Sequence, residues 1–164
     1  MTKAASEQVT SVGYLGAARP RLALYLPHRP NGLAQLARAP SSQELVAANS
    51  NHWRKIVTLL SKVTSPDADD WRSFRDEELF LQTALCFAPA LSHTALWHWI
   101  GGKDNLKRFS TLNHHAQPLP DCPTVSIDPD RHLLLTPYPD YRQLSNSVVE
   151  NIRTALGQHG FYRQ

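Results

Sequence analysis

The chain has 164 residues, 41% of them hydrophobic and 19% charged, with a formal net charge of +3 and a pI near 9.0. This composition excludes a disordered or fibrous chain and fits one domain whose core needs no staples. The mild basic excess is compatible with a nucleic-acid or other polyanionic partner, and eight histidines add positive charge below neutral pH.

Residues 1–12 read as a flexible N-terminal tail, and residues 13–164 as a single α/β domain. Met1 to Ser11 is polar and lacks the apolar centre of a signal peptide. No stretch reaches the roughly 20 apolar residues of a membrane span. The expectation is a soluble, cytoplasmic protein with no membrane partner.

The run Arg21 to Leu26 is short and apolar and stops at Pro27-His28-Arg29-Pro30-Asn31-Gly32, as a buried strand ending in a turn does. Leu33 to Ala39 reads as a short helix. Ser41 and Glu44 have capping-box spacing and open a helix to about Val63, with Leu45, His52, Ile56, Leu59 and Val63 on one stripe and a weak point at Asn49-Ser50-Asn51. Asp69 and Asp70 cap a second helical stretch through Leu81. Ala84 to Ala88 fits either a helix end or a buried strand, because periodicity does not separate the two. Beyond Pro89, Ser92 caps a helix over Thr94 to Ile100. Gly101-Gly102 ends it, and Lys103 to Leu112 starts another.

Asn113 to Pro123 reads as a loop. Thr124 to Ile127 and His132 to Thr136 flank Asp128-Pro129-Asp130-Arg131, a β-hairpin pattern. A final helix begins at a Ser147/Glu150 capping box and stops at Gly160. The sum is an α/β fold with a small mixed, largely parallel sheet and helices packed on its faces. In such sheets ligands bind at the carboxyl ends of strands.

Three proline-bent strand ends are therefore the search area: Pro27 to Gly32, Pro89 to His93, and Pro137 to Arg142. Proline lowers the entropy cost of holding a loop in a binding shape, although prolines also simply end strands. If these strands are adjacent and parallel, their loops converge. The candidate ligand-binding residues are Pro27, His28, Asn31, His93, Trp97, Tyr138 and Asp140. His93 and Trp97 are paired by helical i,i+4 spacing, and Trp97 or Tyr138 would stack a planar base. Lys103, Lys107 and Arg108, after Gly101-Gly102, are the candidate phosphate-binding residues, although the run lacks P-loop spacing.

Cys86 and Cys122 are the only cysteines, and no C-x-x-C or H-E-x-x-H occurs, so no disulfide framework, metal site or cofactor is implied. Cys86 lies in an apolar run and reads as a buried thiol. No nucleophile elbow is present.

Two stretches, Leu22 to Asn31 and Leu133 to Asp140, carry a resemblance. They are similar to the post-strand loop and the late, proline-flanked His-Pro-Ser loop of the uracil-DNA glycosylase superfamily. Tyr138 stands where that family has its electrophilic histidine and Asp140 where it has serine. The first loop has His28 and Asn31 but no carboxylate to orient a water. These departures remove the family's way of stabilising a leaving base anion. The whole chain, and Phe87 to Phe109 most of all, also resembles an uncharacterised family of bacterial hypothetical proteins. Two functional readings follow: a nucleobase or nucleic-acid pocket at the strand ends, and a non-catalytic module whose aromatics and Arg142 contact a protein partner.

Overall fold

Short apolar runs that stop at proline become strands because both of their faces find cover. The computed structural model describes residues 13–163, so the expected tail at 1–12 lies outside the described residues. The strands are β1 (Tyr14–Gly16), β2 (Leu22–Tyr25), β3 (Thr83–Cys86), β4 (Trp97–Gly101), β5 (Gln117–Leu119), β6 (Cys122–Asp128) and β7 (Leu133–Thr136). They form one sheet in the order β1-β3-β2-β4-β7-β6-β5. The helices are α1 (Leu33–Arg38), α2 (Ser42–Ala48), α3 (Asn51–Thr64), α4 (Trp71–Glu77), α5 (Leu79–Gln82), α6 (Lys103–Lys107) and α7 (Asn146–Gln158), with a 3-10 turn at Ala68–Asp70.

The α/β class holds, but the sheet is neither small nor largely parallel. β2 pairs in parallel with β3 and β4, and β4 with β7. The other three pairings, β1–β3, β5–β6 and β6–β7, are antiparallel. The hairpin expected around Pro129 is the β6–β7 pair, with Ile127 opposite Leu134. Short edge strands β1 and β5, which carry little apolar signal, complete the sheet.

One face of the sheet, through Leu22, Leu24, Leu85, Trp99, Val125 and Leu134, packs on α1–α5 and α7. The other, through Ala23, Tyr25, Ile100 and Leu133, is covered by Phe109, Leu106 and Leu91. Strands covered on both sides read as unbroken apolar runs without alternation. That is why the helix expected over Thr94 to Ile100 is in fact β4. Its Trp97 and Trp99 enter the helical layer, while His98 and Ile100 enter the opposite one. The same reasoning places Thr83–Cys86 in β3 and leaves Cys86 buried.

Helix ends follow the expected caps in part. Ser41 caps α2 by accepting from the Glu44 amide at 3.2 Å. The expected single helix to Val63 breaks at the weak point Asn49-Ser50-Asn51, giving α2 and α3. The 3-10 turn before α4 is capped by Asp67, which accepts from the Asp69 amide at 2.9 Å, rather than by Asp69 or Asp70. The final helix is capped by Ser145, not Ser147, and Gly160 follows it at φ 80°. Among the described residues, no helix is long and apolar enough to cross a membrane.

Two glycines give a direct test of this packing. At Gly101 a Cβ would lie 2.7 Å from Pro139 Cδ, whereas at exposed Gly157 in α7 it would meet only Tyr162, at 3.7 Å. Gly101→Ala is expected to lower unfolding free energy by about 1–3 kcal/mol through overpacking. Gly157→Ala is expected to raise it by about 0.4–1 kcal/mol by restricting the unfolded chain. Urea denaturation of both variants decides the matter; equal effects would mean that Pro139 yields freely.

Candidate functional site

β2, β4 and β7 end level with one another, because Tyr25 pairs with Ile100 and Gly101 with Thr136. The first and last of these are parallel but not adjacent, since β4 lies between them. From β2 the chain crosses over the helical face to β3. From β4 it leaves through α6, whose Leu106 packs on the opposite face. The two connections therefore part at the β2/β4 boundary, the topological switch point where α/β sheets bind ligands. A cleft of about 970 Å³ opens beside it, reached by Pro27 from the β2 end but lying mainly between α6 and the strands β4, β7 and β6, and lined by Gly102, Lys103, Asn105, Thr124, Ser126, Leu135, Thr136, Tyr138 and Gln143.

A ring cluster stands at the cleft's edge. The Tyr138 hydroxyl lies 2.8 Å from His52 Nε2; it is 3.0 Å from His28 Nε2 and 3.5 Å from His28 Nδ1, and so stands over the His28 ring. The Tyr138 ring stacks on His52 (5.2 Å, 12°) and on His28 (5.8 Å, 23°). Trp53 closes the cluster behind His28 at 5.2 Å. Burial, and then the charge of His52, holds the His28 imidazole below its ordinary value. Burial likewise pushes the Tyr138 phenol up.

Local sequence accounts for the meeting. Pro27 ends β2 and frees the loop that carries His28. The Asn49 side chain accepts from the Asn31 amide (2.7 Å) and donates to the Asn31 carbonyl (3.2 Å) and to the Leu45 carbonyl (2.9 Å). That single amide ties the His28 loop to the break between α2 and α3, so α3 restarts with His52 and Trp53 facing it. Tyr138 is fixed between Pro137 and Pro139. Asp140 then folds the chain into a turn by accepting from the Arg142 amide at 2.8 Å, and its carbonyl accepts from the Leu144 amide.

Of the residues expected from the sequence, Pro27, His28, Tyr138 and Lys103 meet at this edge. Asn31 and Asp140 flank it as loop-forming residues. Lys107 is exposed and pairs with Asp104 at 3.6 Å. Arg108 staples two strand ends, donating to the carbonyls of Leu26 (3.4 Å) and Phe87 (3.1 Å) and to Asn105 Oδ1 (2.9 Å). His93 and Trp97 do not share a helical face. His93 is exposed in the loop after β3, and Trp97 is buried at the amino end of β4 and stacked on His132 at 4.6 Å. Trp97 therefore stands at the opposite end of the sheet from Tyr138.

His52 and Trp53 were missed. The stripe reading had placed His52 among core positions, and only the helix break at Asn49-Ser50-Asn51 signals otherwise. A second polar group is sealed beneath the β3–β4 loop. There Tyr25 Oη meets His98 Nδ1 at 2.8 Å and accepts from the Ser92 amide at 2.8 Å. Among the described residues, no cluster of three or more His, Cys, Asp or Glu side chains could hold a metal ion.

The chain belongs to a family of unknown function, DUF6942, which it matches over residues 13–157. No curated protein and no solved structure matches it.

His98 makes the fold acid-sensitive. Burial, with a smaller contribution from His132, lowers its imidazole to about 4, against about 6.5 in the unfolded chain. The unfolded state thus takes up a proton first as pH falls. Stability is complete above about pH 6.5 and is lost between there and about 4, on the order of 3 kcal/mol in all. His98→Gln is expected to flatten this limb of a urea-midpoint profile; an unchanged slope would show that another group titrates.

Proposed function

We propose that this DUF6942 member binds a planar heterocyclic ligand of the nucleobase or nucleotide class in the cleft at the carboxyl ends of β2, β4 and β7. The observation that carries this reading is the convergence on one cleft of Tyr138, held between two imidazoles, with Pro27 and Lys103 from two other strand ends. Tyr138 offers an aromatic wall on which a base can stack. Thr124, Ser126 and Gln143 offer hydroxyl and amide groups for its edge, and exposed Lys103 can meet a phosphate at the mouth. A cleft of this volume accommodates a mononucleotide.

The two strand ends that resemble the uracil-DNA glycosylase superfamily are the ones that meet, which supports the same placement of the ligand. The chemistry does not carry over. A tyrosine hydroxyl that meets His52 and stands over His28 replaces the family's electrophilic histidine, and no carboxylate on the first loop orients a water. A protein-interaction role draws on exposed Tyr141 and Arg142. A half-buried ring cluster beside a cleft of about 970 Å³ favours the small planar ligand.

Calorimetric titration with the four nucleoside 5′-monophosphates and a short single-stranded oligonucleotide at low salt tests this. Tyr138→Ala is expected to weaken binding by at least about tenfold, the loss typical of one stacking contact. Lys103→Ala is expected to weaken nucleotides but not free bases, and to reduce the salt dependence. No binding of any of these probes at low ionic strength would end the proposal.

A further inference from the structure

We propose that β1 is an association edge, at which two copies of this chain pair antiparallel through Tyr14–Gly16 and join their sheets into one. β1 lies across the sheet from the cleft, and the inference does not depend on the ligand proposed there.

The backbone of β1 carries it. β1 runs antiparallel to β3, with Tyr14 opposite Cys86, Leu15 opposite Leu85 and Gly16 opposite Ala84. The Phe87 amide donates to the Gly13 carbonyl at 2.9 Å, and the Ala17 amide to the Thr83 carbonyl at 3.0 Å. Bonded residues alternate along an antiparallel pair, so positions 13, 15 and 17 turn their polar groups toward β3. Tyr14 and Gly16 turn theirs outward, because the N–H and C=O of one planar trans peptide point opposite ways. β1 is the last strand on its side of the sheet, and among the described residues no backbone group pairs with these outward ones.

The two edges of the sheet differ. β5, at the other end, has Pro118 at its centre and a register shift between Pro118 and Leu119, and both features keep an edge strand from adding another. Gly13 to Ala18 contains neither proline nor a charged residue. Two identical strands paired here therefore meet no like charge within this run.

Self-complementarity selects a second copy as the occupant. A two-fold axis through Leu15, perpendicular to the sheet, sets Tyr14 of each copy opposite Gly16 of the other. Each copy then donates two N–H groups to carbonyls of its neighbour. The side chains match in the same register. Tyr14 is 49% exposed and stands beside a hollow of about 300 Å³ whose lining includes Ala17, Ala84, Cys86, Ala88 and Ser92. Gly16 holds φ 125°, and a Cβ there would collide with the Thr83 carbonyl, so the position that meets the incoming tyrosine is bare. The Tyr14 ring of each copy covers Gly16 of the other and leans into its hollow, a cross-strand pairing that shields an edge glycine. A fully buried tyrosine contributes about 150–250 Å². Two half-exposed rings and a short strand thus fall below the roughly 1,200 Å² of a standard interface, which makes the dimer weak and concentration-dependent.

Sedimentation velocity of the full chain from about 5 to 500 µM, a range that spans weak association, tests this. The expected result is a shift from one 18.4 kDa chain toward twice that mass. Amide exchange at Tyr14 and Gly16 should slow as the dimer fills, while Leu15, already paired with β3, stays protected throughout. Tyr14→Lys puts a charge on the edge and is expected to keep the chain monomeric over the whole range. Tyr14→Phe keeps the ring and the dimer, and Tyr141→Lys, at another exposed aromatic, leaves association unchanged. The exchange readout needs no variant. A monomer at the highest concentration would overturn the proposal, and protected Tyr14 and Gly16 amides in that monomer would show the edge closed within one chain instead. A dimer that survives Tyr14→Lys would overturn it as well.

Discussion

Pro139 rests on Gly101, at the point where β4 ends beside β7, and it can do so only because that position has no side chain. The contact sets where the β7 loop leaves the sheet. Thr136 is held from the same region: its hydroxyl accepts from the Trp99 indole at 2.8 Å and donates to the Pro137 carbonyl at 2.6 Å. With Pro137 and Pro139 both fixed, Tyr138 has little freedom except to lean over Gly102 toward α3, where a Cβ on that glycine would lie 3.6 Å from the tyrosine ring. A larger residue at 101 would lift this loop and part Tyr138 from both histidines.

The opposing half of the cluster depends on side chains that bond chiefly to backbone carbonyls and amides. Asn49 joins the His28 loop to the start of α3. Asn105 donates to the Tyr25 carbonyl at 2.8 Å, and Arg108 holds the carbonyls of Leu26 and Phe87. Strand ends expose carbonyls that no partner strand takes up, and a buried carbonyl left alone is costly. Residues of α6 and the turn after it thus close the β2 and β3 ends. Among the described residues, no buried side-chain nitrogen or oxygen is left without a partner. This is why Arg108, which the sequence offered as a phosphate ligand, is engaged in holding the edge together.

What was legible in the sequence was what local chemistry fixes. Proline stops marked the ends of β2 and β7, Ser41 with Glu44 marked a real cap, and Pro129 marked a real hairpin. His28 and Tyr138, chosen because they follow such stops, do meet. What failed was whatever depends on burial from two sides. Trp97 to Ile100 carries no alternation because both faces are covered, so a tryptophan-rich strand was read as a helix and Trp97 was sent to the wrong end of the sheet. His52 failed for the opposite reason. It fits a helical stripe, and only the tertiary bond from Asn49 to the His28 loop turns the start of α3 toward Tyr138.

The charge distribution divides the edge into two parts. Inside, His28 is kept toward its neutral form by burial and by its neighbour, and Tyr138 is kept protonated. His28 and Tyr138 therefore present polarisable faces and hydrogen-bonding edges. Outside, Lys103 stands exposed at the mouth beside Asp104. A wall of this kind suits a flat, neutral heterocycle better than an anion, because desolvating a charge against it would be costly. Any anionic group the ligand carries is better placed at the rim, where water and lysine can share it. The ring wall is thus set apart from a rim where Lys103 and Asp104 place one charge of each sign, and the ligand proposed above would have to match both.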